Sequence, residues 1–377
     1  MNNQAPRALY IHIPFCSHIC TYCDFYKMRA KESVKHEYIS TLIQELHLKK
    51  SFYDAIETIY IGGGTPSSIP MEHLKRLFDA ILKEIDPSKL IEWTIEANPQ
   101  DITEEFARFI QDYGINRVSL GVQSFQEKRL KVLGRTHTRL DVLHAIKILH
   151  QVGIKNVNAD LIYGLPGDTI KLIKQDLIQI INMGFTHVSP YTLIIEPKTM
   201  LYLAQEENTF LPLPDEEEAT IYRFIQRFLN SYGLYQYEIS NFCIKGYESL
   251  HNQVYWKNDH YIGLGASASY YIDQIRYTNI KNLRLYTEGV KIGKLKYEEK
   301  AELTQEEEMQ NEMMLGLRTI RGISLQEFEA KYGKALLDVY PVVNRLIHDK
   351  QLILKRGYIA IPTNRLYVSN TIILNFM

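Results

Sequence analysis

Residues 8–25 read ALYIHIPFCSHICTYCDF. Aromatic, β-branched and apolar residues dominate the first six positions, which is the composition of a buried strand. After Pro14 the segment turns polar and carries Cys16, Cys20 and Cys23. The whole chain has 4 cysteines in 377 residues, so three of them crowd into this one stretch. We therefore predict a strand that ends in a functional loop.

The strand-then-loop pattern recurs along the first half of the chain. Further strands are predicted over 56–61, 90–97, 116–124, 156–163 and 187–194, and helices over 31–50, 71–85, 104–114, 139–153 and 169–185. Alternating strands and helices predict a parallel sheet with helices outside it. Such units can form either a doubly wound sheet or an incomplete barrel.

Polar residues at the ends of the predicted strands favour the barrel. Glu96, Gln123 and Asp160 stand at or near strand ends, and the glycine-rich stretch 62–66 (GGGTP) follows another strand. In parallel barrels the site is built on the rim formed by the C-terminal ends of the strands. We therefore predict an α/β protein with a partial (βα)6 TIM-like barrel.

The second glycine-rich stretch, 164–169 (GLPGDT), could be a phosphate loop. It lacks the lysine and the spacing of a nucleotide P-loop. A tight turn between strand and helix, with Asp168 or Thr169 as the helix N-cap, explains it as well. We predict that this stretch is structural and borders the site.

The sequence pattern of the chain changes after about residue 300. A charged amphipathic segment, two predicted helices, a short hairpin and a closing helix follow. This pattern predicts a small helical or winged-helix-like module. We place the boundary within 285–305 and divide the chain into a barrel domain, 1–290, and a C-terminal domain, 291–377.

Composition excludes several classes of protein. The chain is 45% hydrophobic and 23% charged, which is ordinary for a globular protein, and its net charge is −1 without a basic block. We therefore expect no nucleic-acid partner. No stretch reaches the length of a transmembrane helix, and the opening MNNQAPR has no apolar signal region, so a cytoplasmic protein is expected.

The cysteine spacing, Cys-x3-Cys-x2-Cys, predicts a metal centre, because thiolates are soft ligands and close spacing lets three converge. A four-iron cluster with one iron open to a small molecule is the favoured interpretation. A zinc site needs a fourth ligand, which His12 or His18 could supply. Three unrelated cysteines that lie together by chance are the remaining alternative.

The motifs that carry a family resemblance occur in order: YIHIPFC, CSHICTYC, GGGTP, TIEANP, RVSLGVQSF, LGRTH, DLIYGLPG, YEISNF, HNQVYW and LGLRTIRGI. Together they resemble the coproporphyrinogen dehydrogenase-like family of the radical S-adenosylmethionine (SAM) superfamily, over nearly the whole chain. The resemblance implies the radical SAM fold, a [4Fe-4S] cluster held by Cys16, Cys20 and Cys23, exchangeable SAM, and a reductant for the cluster.

Two branches of that family are open. One contains oxygen-independent coproporphyrinogen III dehydrogenases, which decarboxylate propionates in heme synthesis, and the other contains heme chaperones. The enzymes typically carry a fourth cysteine where this chain has Phe25, and an extension before the first strand. HNQVYW (251–256) matches a motif that the chaperones associate with heme. We therefore expect a protein that binds heme and delivers it to an acceptor protein, without dehydrogenase activity.

The family's SAM contacts map onto the polar positions at successive strand ends. The resemblance implies SAM binding by Tyr10, Tyr22, Gly63, Gly64, Thr65, Glu96, Gln123, Arg135 and Asp160. Independently of the resemblance, the missing side chains of Gly63 and Gly64 would let backbone approach a polar ligand.

The heme motif predicts a binding site with His251 as the iron ligand, because neutral imidazole is a common axial ligand. Asn252 is expected to orient that imidazole. Tyr255 and Trp256 are expected to form a flat apolar wall for the porphyrin. Cys243, outside the cysteine motif, is expected to be a small buried residue.

Overall fold

Six parallel strands in chain order form the centre of the structure, a computed structural model that describes residues 5–377. They are β1 (Ala8–Ile13), β2 (Thr58–Gly63), β3 (Glu92–Ala97), β4 (Arg117–Gln123), β5 (Asn156–Tyr163) and β6 (His187–Thr192). Each strand pairs in parallel with the next. The predicted strand positions and the incomplete barrel are confirmed.

Helices follow the strands along the chain. They are α1 (Glu32–Leu48), α2 (Met71–Glu84), α3 (Glu104–Asp112), α4 (Glu127–Val132), α5 (Arg139–Gln151) and α6 (Ile170–Met183). The period of two in β1 separates its two faces: Leu9 and Ile11 have no exposed surface and belong to the main core, whereas Tyr10 and His12 line a cavity. The barrel interior is therefore the polar side of the sheet.

The turn after β5 is structural, as predicted. Thr169 caps α6 by accepting a hydrogen bond from the Leu172 N–H. Asp168 instead accepts from the N–H groups of Gly164 and Leu165, each at 3.0 Å, and forms an ion pair with Arg129 at 2.9 Å. The Asp168 carboxylate thus accepts hydrogen bonds from the backbone N–H groups of its own turn. In a phosphate loop, such N–H groups would instead donate to the bound phosphate.

Strands beyond the predicted six extend the sheet at both edges. The order is β12-β11-β10-β9-β1 on one side and β6-β8-β7 on the other, so the twelve strands form one open sheet. These additional strands are β7 (Tyr235–Gln236), β8 (Phe242–Cys243), β9 (Tyr261–Leu264), β10 (Ser269–Ile272), β11 (Ile275–Asn279) and β12 (Tyr297–Glu302). The helices of this region are α7 (Met200–Glu206), α8 (Asp215–Ser231), α9 (Leu250–Trp256) and α10 (Leu283–Lys291). Cys243 is buried in β8, as expected.

A buried ion pair on α1 ties the strand extension to the barrel. The Glu45 carboxylate lies 2.9 Å from the Lys49 ammonium, and both side chains are almost fully buried. Glu45 also accepts hydrogen bonds from the Gly265 N–H, the Asn279 side chain and the Tyr286 hydroxyl, at 2.7–2.8 Å. One carboxylate therefore satisfies donors that reach it from the segment after β9.

The C-terminal module contains the predicted helices and hairpin. Its elements are α11 (Gln305–Gly316), β13 (Ile323–Ser324), α12 (Leu325–Tyr332), α13 (Leu336–Val339), α14 (Val342–His348), β14 (Ile353–Lys355), β15 (Tyr358–Ala360) and α15 (Ser369–Ile373). The three strands form a small sheet with β15 in the centre. Because β12 pairs with β11, the large sheet continues past residue 290. Our division of the chain into two domains at 290/291 stays a prediction.

Within residues 5–377, no helix is both long enough and apolar enough to cross a membrane. The first four residues of the opening MNNQAPR lie outside the described part of the chain.

Candidate functional site

The cysteine loop joins β1 to α1 and is held at both of its ends. The Met28 N–H donates to the Pro14 carbonyl at 2.7 Å, and the Cys16 N–H donates to the Met28 carbonyl at 3.0 Å. In the middle of the loop, the Thr21 hydroxyl donates to the Val132 carbonyl at 2.8 Å. The loop therefore presents its thiols at the C-terminal end of β1 from a fixed backbone.

The thiols are half-buried and have donors nearby. The Thr65 hydroxyl lies 3.5 Å from the Cys16 sulfur, and the Arg135 guanidinium lies 3.4 Å from the Cys20 sulfur. Burial raises the pKa of Cys23 to about 11 and also raises the pKa of Cys16. The thiolate forms that bind metal therefore need a positive partner, which a metal centre supplies.

The surroundings of the cysteine loop bear on the zinc alternative. Tetrahedral zinc with Zn–S bonds near 2.3 Å would hold its sulfurs about 3.8 Å apart. Within residues 5–377, no set of three ligand atoms that includes these cysteines lies within 4.8 Å of one another. His12 is also engaged, since its Nδ1 pairs with the Tyr10 hydroxyl and its Nε2 with the Tyr26 carbonyl, each at 2.9 Å. His12 is therefore not free to supply the fourth ligand that a structural zinc ion would need.

The glycine loop after β2 packs tightly against the cysteine loop. Gly63 has φ +113°, and a Cβ there would lie 2.5 Å from the His12 ring; a Cβ on Gly64 would lie 2.7 Å from the Phe15 carbonyl oxygen. The N–H groups of Gly63, Gly64 and Thr65 all donate to protein oxygens. The N–H groups of this loop are therefore already paired within the protein.

Glu96 provides a buried carboxylate beside that loop. It accepts hydrogen bonds from the Tyr60 hydroxyl at 2.7 Å and from the Gly63 N–H at 3.1 Å. Burial, with a contribution from the nearby Asp160, raises the pKa of Glu96 to about 7. A buried carboxylate held in this way favours a cationic ligand.

The remaining SAM-motif residues lie on the same inner face. Arg135 donates to the Asn98 side chain at 2.8 Å and to the Gly121 carbonyl at 2.7 Å, as well as reaching Cys20. Gln123 ends β4 with a left-handed φ of 60°, where the pairing with β5 shifts register. Asp160 is held by Ser119 and Asn158 at 3.0 and 2.8 Å, and burial raises its pKa.

Tyr22 packs beside this set, against a small apolar cluster formed by Leu133, Ile162 and Leu165. Its ring stands between the cysteine loop and the end of β5. Burial raises the pKa of its hydroxyl, so the phenol stays neutral at physiological pH. The structure therefore brings Tyr22 together with the other residues that the SAM motifs indicated.

An aromatic cavity of about 320 Å³ connects the cysteine loop with the HNQVYW helix. Phe25, from the loop, lies at the exposed side with 67% of its surface accessible. The walls and floor include Tyr10, Tyr60, His251, Asn252 and Tyr255. Two sequence features far apart in the chain, Phe25 and HNQVYW, therefore face one space.

The HNQVYW segment forms α9 at the opposite end of the barrel from the cysteine loop. Glu92, the first residue of β3, accepts hydrogen bonds from the Leu250 and His251 N–H groups at 2.9 and 3.0 Å. The Ser249 side chain caps the helix by accepting from Asn252. These bonds fix α9 against the N-terminal ends of the central strands.

His251 is buried and bonded at both ring nitrogens. Its Nδ1 lies 2.9 Å from the Thr58 hydroxyl, and its Nε2 lies 2.6 Å from the Tyr255 hydroxyl. Burial lowers the pKa of His251 to about 3, so the imidazole is neutral. Thr58 and Tyr255, rather than the expected Asn252, therefore orient the ring.

Trp256 lies apart from the aromatic cavity. It lines a second space, of about 380 Å³, with Tyr237, Gly316 and Ile323. Of the two aromatic residues that were expected to form one porphyrin wall, only Tyr255 faces the cavity. The reason is helical geometry, since neighbouring positions on α9 point about 100° apart.

Comparisons with known proteins identify the family. Residues 10–178 match the Radical SAM superfamily, and residues 303–367 match the HemN C-terminal domain. The chain is 39% identical over 351 residues to the heme chaperone HemW of Bacillus subtilis (strain 168), covering 92% of each chain. It is 38% identical over 377 residues to the heme chaperone HemW of Lactococcus lactis (strain IL1403), covering 99% of this chain and 98% of that one.

The chain belongs to the HemW family. The expected relationship to the radical SAM, coproporphyrinogen dehydrogenase-like proteins is thereby confirmed. The HemW of Escherichia coli (strain K12) is a more partial match, at 37% identity over 70% of this chain.

A solved structure supports the fold of this HemW-family chain. The coproporphyrinogen III oxidase HemN of Escherichia coli, a radical SAM enzyme, superimposes with a TM-score of 0.84. The match covers 99% of this chain and 90% of that one at 21% identity. At that identity the likeness shows the fold alone, including the C-terminal module.

Several residues of the candidate site escaped the sequence analysis, which considered His12 only as a zinc ligand. His12, Tyr60 and Tyr261 line the aromatic cavity, Thr58 holds His251, and Asn98 holds Arg135. The period of two could have found His12 and Tyr60, because they share faces with Tyr10 and Gly62 on β1 and β2. Tyr261 lies on β9, a strand that was not predicted, so no comparable signal existed for it.

Proposed function

We propose that this HemW-family chain binds heme and delivers it to an acceptor protein, and that it carries a [4Fe-4S] cluster with exchangeable SAM. The observation that carries the heme proposal is the aromatic cavity between Phe25 and the HNQVYW helix. The names of the curated HemW relatives agree with it.

The cavity has the chemistry that a porphyrin needs. Its walls are aromatic, and the oxygen and nitrogen atoms of Tyr255, His251 and Asn252 supply a few polar groups. Its volume of about 320 Å³ lies at the lower end of the range for ligand sites, so part of a porphyrin ring would stay outside it. A partly uncovered ligand at the side of the exposed Phe25 is consistent with transfer to another protein.

The cluster and SAM would occupy the adjoining end of the barrel. Cys16, Cys20 and Cys23 would hold the cluster, and Glu96 and Arg135 would orient SAM beside it. When bound, the cluster supplies the one-electron chemistry of the radical SAM superfamily, for which a reductant would be needed. The protein's part is to position the two groups.

We propose a cytoplasmic location and a protein acceptor for the heme. The described cysteines are all free thiols, and a reducing compartment preserves clustered thiols for metal binding. The near-zero net charge agrees with the expectation of no nucleic-acid partner.

One experiment distinguishes the heme-chaperone proposal from the dehydrogenase alternative. We expect the anaerobically purified, reconstituted protein to bind one heme per chain and to leave coproporphyrinogen III unchanged in the presence of SAM and dithionite. The physical reason is that Phe25 puts a hydrocarbon ring where the enzymes place a thiol. The measurements are heme titration by absorbance and chromatography of the porphyrin products. Robust decarboxylation without heme retention would replace the chaperone proposal with the dehydrogenase alternative.

Glu96 makes SAM affinity depend on pH. SAM is cationic, so it prefers the ionised carboxylate, and its affinity should rise as the pH increases through about 7, the raised pKa of Glu96. Losing a charged hydrogen bond in Glu96→Gln costs about 1.5–3 kcal/mol, or about ten- to a hundredfold in affinity. Calorimetry of the reconstituted protein from pH 6 to 8 measures both effects.

The control for that experiment is Glu105→Gln, on the exposed surface of α3. It should bind SAM with the wild-type affinity and the wild-type pH dependence. Equal SAM affinity in wild type and Glu96→Gln at pH 8 would show that the carboxylate does not bind SAM.

A further inference from the structure

Two side chains of the HNQVYW helix, His251 and Tyr255, could reach a heme iron. They differ in their exposure and in the bonding positions that remain unused. His251 has 1% of its surface exposed, and both of its ring nitrogens are bonded, to Thr58 and to Tyr255. Tyr255 is half-buried and lines the aromatic cavity. A neutral imidazole has one lone pair for a metal, and here each nitrogen already has a partner.

The position of the Tyr255 oxygen blocks the outward path from His251. The hydroxyl stands 2.6 Å from Nε2, at hydrogen-bond distance, in the place where an iron bound to that nitrogen would have to lie. The ring of Tyr255 is itself held edge-on against Tyr261, with centroids 4.5 Å apart. His251 could bind iron only if Tyr255 left this position.

The phenol oxygen keeps bonding capacity of its own. It has two lone pairs and one proton, and His251 uses only one of these positions. Tyrosinate is an established axial ligand of ferric heme iron. Resting on the proposed heme-binding function, we propose that the Tyr255 oxygen is the axial ligand of the bound ferric heme and that His251 is the positioning residue behind it.

The bonding change is balanced without any redox step. The iron–oxygen bond forms as the phenol O–H bond breaks, the proton leaves to solvent, and the iron stays ferric. His251 remains neutral: its Nε2–H donates to the tyrosinate oxygen while its Nδ1 accepts from the Thr58 hydroxyl. Thr58, His251 and Tyr255 thus form a chain in which each group fixes the next.

The test uses full-length protein with its cluster, titrated with ferric heme. The variants are Tyr255→Phe, His251→Gln and His251→Ala, and the control is Tyr232→Phe, which removes an exposed tyrosine hydroxyl that lies outside the cavity. The readouts are heme affinity by absorbance, the ferric spin state by electron paramagnetic resonance, and the iron–phenolate vibration by resonance Raman. Circular dichroism and iron content check that every variant is folded.

We expect the wild type and Tyr232→Phe to show the same iron–phenolate signature. Tyr255→Phe should lose that signature and bind heme about 10- to 100-fold more weakly. His251→Ala should keep the signature with a shifted frequency, and His251→Gln, whose amide can still donate to the oxygen, should shift it less.

Two outcomes overturn the assignment in different ways. If folded Tyr255→Phe keeps the wild-type heme spectrum, or if the wild-type spectrum is lost only in the His251 variants, Tyr255 is not the ligand although heme binding stands. If the wild type binds no heme at all, the proposed function fails and this inference fails with it.

Discussion

Replacing Cys16, Cys20 or Cys23 with alanine is expected to abolish the iron–sulfur cluster. Each substitution removes one of only three protein ligands, and the structure holds all three on one loop whose backbone is bonded at both ends. Iron and sulfide should fall from a full four-iron cluster per chain to near background after anaerobic reconstitution. Chemical iron analysis and the visible absorbance of the cluster measure the loss.

Cys243→Ala is the matched control, because Cys243 is buried in β8 and lies outside the cysteine loop. It should keep the full iron content. The loop variants should also keep much of their heme, since the Tyr255–His251 end of the cavity is formed by α9 and not by the cysteine loop. Normal iron and sulfide in a folded Cys16→Ala/Cys20→Ala/Cys23→Ala protein would refute the assignment of the cluster.

Glu45→Ala is expected to lower the free energy of unfolding by about 3–5 kcal/mol. The substitution leaves the buried Lys49 ammonium without its carboxylate, although the Gly263 carbonyl still accepts from it at 2.8 Å. Donors from Gly265, Asn279 and Tyr286 lose their acceptor at the same time. Burial already lowers the pKa of Lys49, and removing Glu45 should lower it further.

The comparison for this prediction is Glu37→Ala, on the same helix. Glu37 pairs with Lys291 at 2.8 Å, but both side chains are more than half exposed. Exposed pairs contribute about 0–1 kcal/mol, so Glu37→Ala should be nearly neutral. Urea unfolding at constant protein concentration measures both variants. Equal stability losses in the two would mean that the buried pair does not hold the sheet extension.

The central barrel was predictable because its signals are local. Runs such as ALYIHI and LIEWTIEA have the composition and length of buried strands. The helices between them show the hydrophobic period of a helix and have capping residues at their ends. The strands at the two edges of the sheet were not predictable. β7 and β8 have two residues each, and such short segments carry no period of their own.

The SAM-motif residues were found for the same local reason. Glu96, Gln123 and Asp160 stand on or at the ends of predicted strands, and parallel strands bring those ends together on one rim. Their partners were not found, because Asn98 meets Arg135 only where the loop after α4 approaches the end of β3, and Tyr60 meets Glu96 only through the register between β2 and β3. That register depends on packing across the whole sheet.

The sequence alone determined the class of fold, the three thiols in one loop, and the order of the motifs, since each of these is written in neighbouring residues. Only the tertiary structure decided that Phe25 and the HNQVYW helix share one cavity, because the two meet through the depth of the barrel. It also decided the partners of His251. Thr58 lies on a strand nearly two hundred positions earlier, and folding alone brings its hydroxyl to one nitrogen of the imidazole and the Tyr255 oxygen to the other.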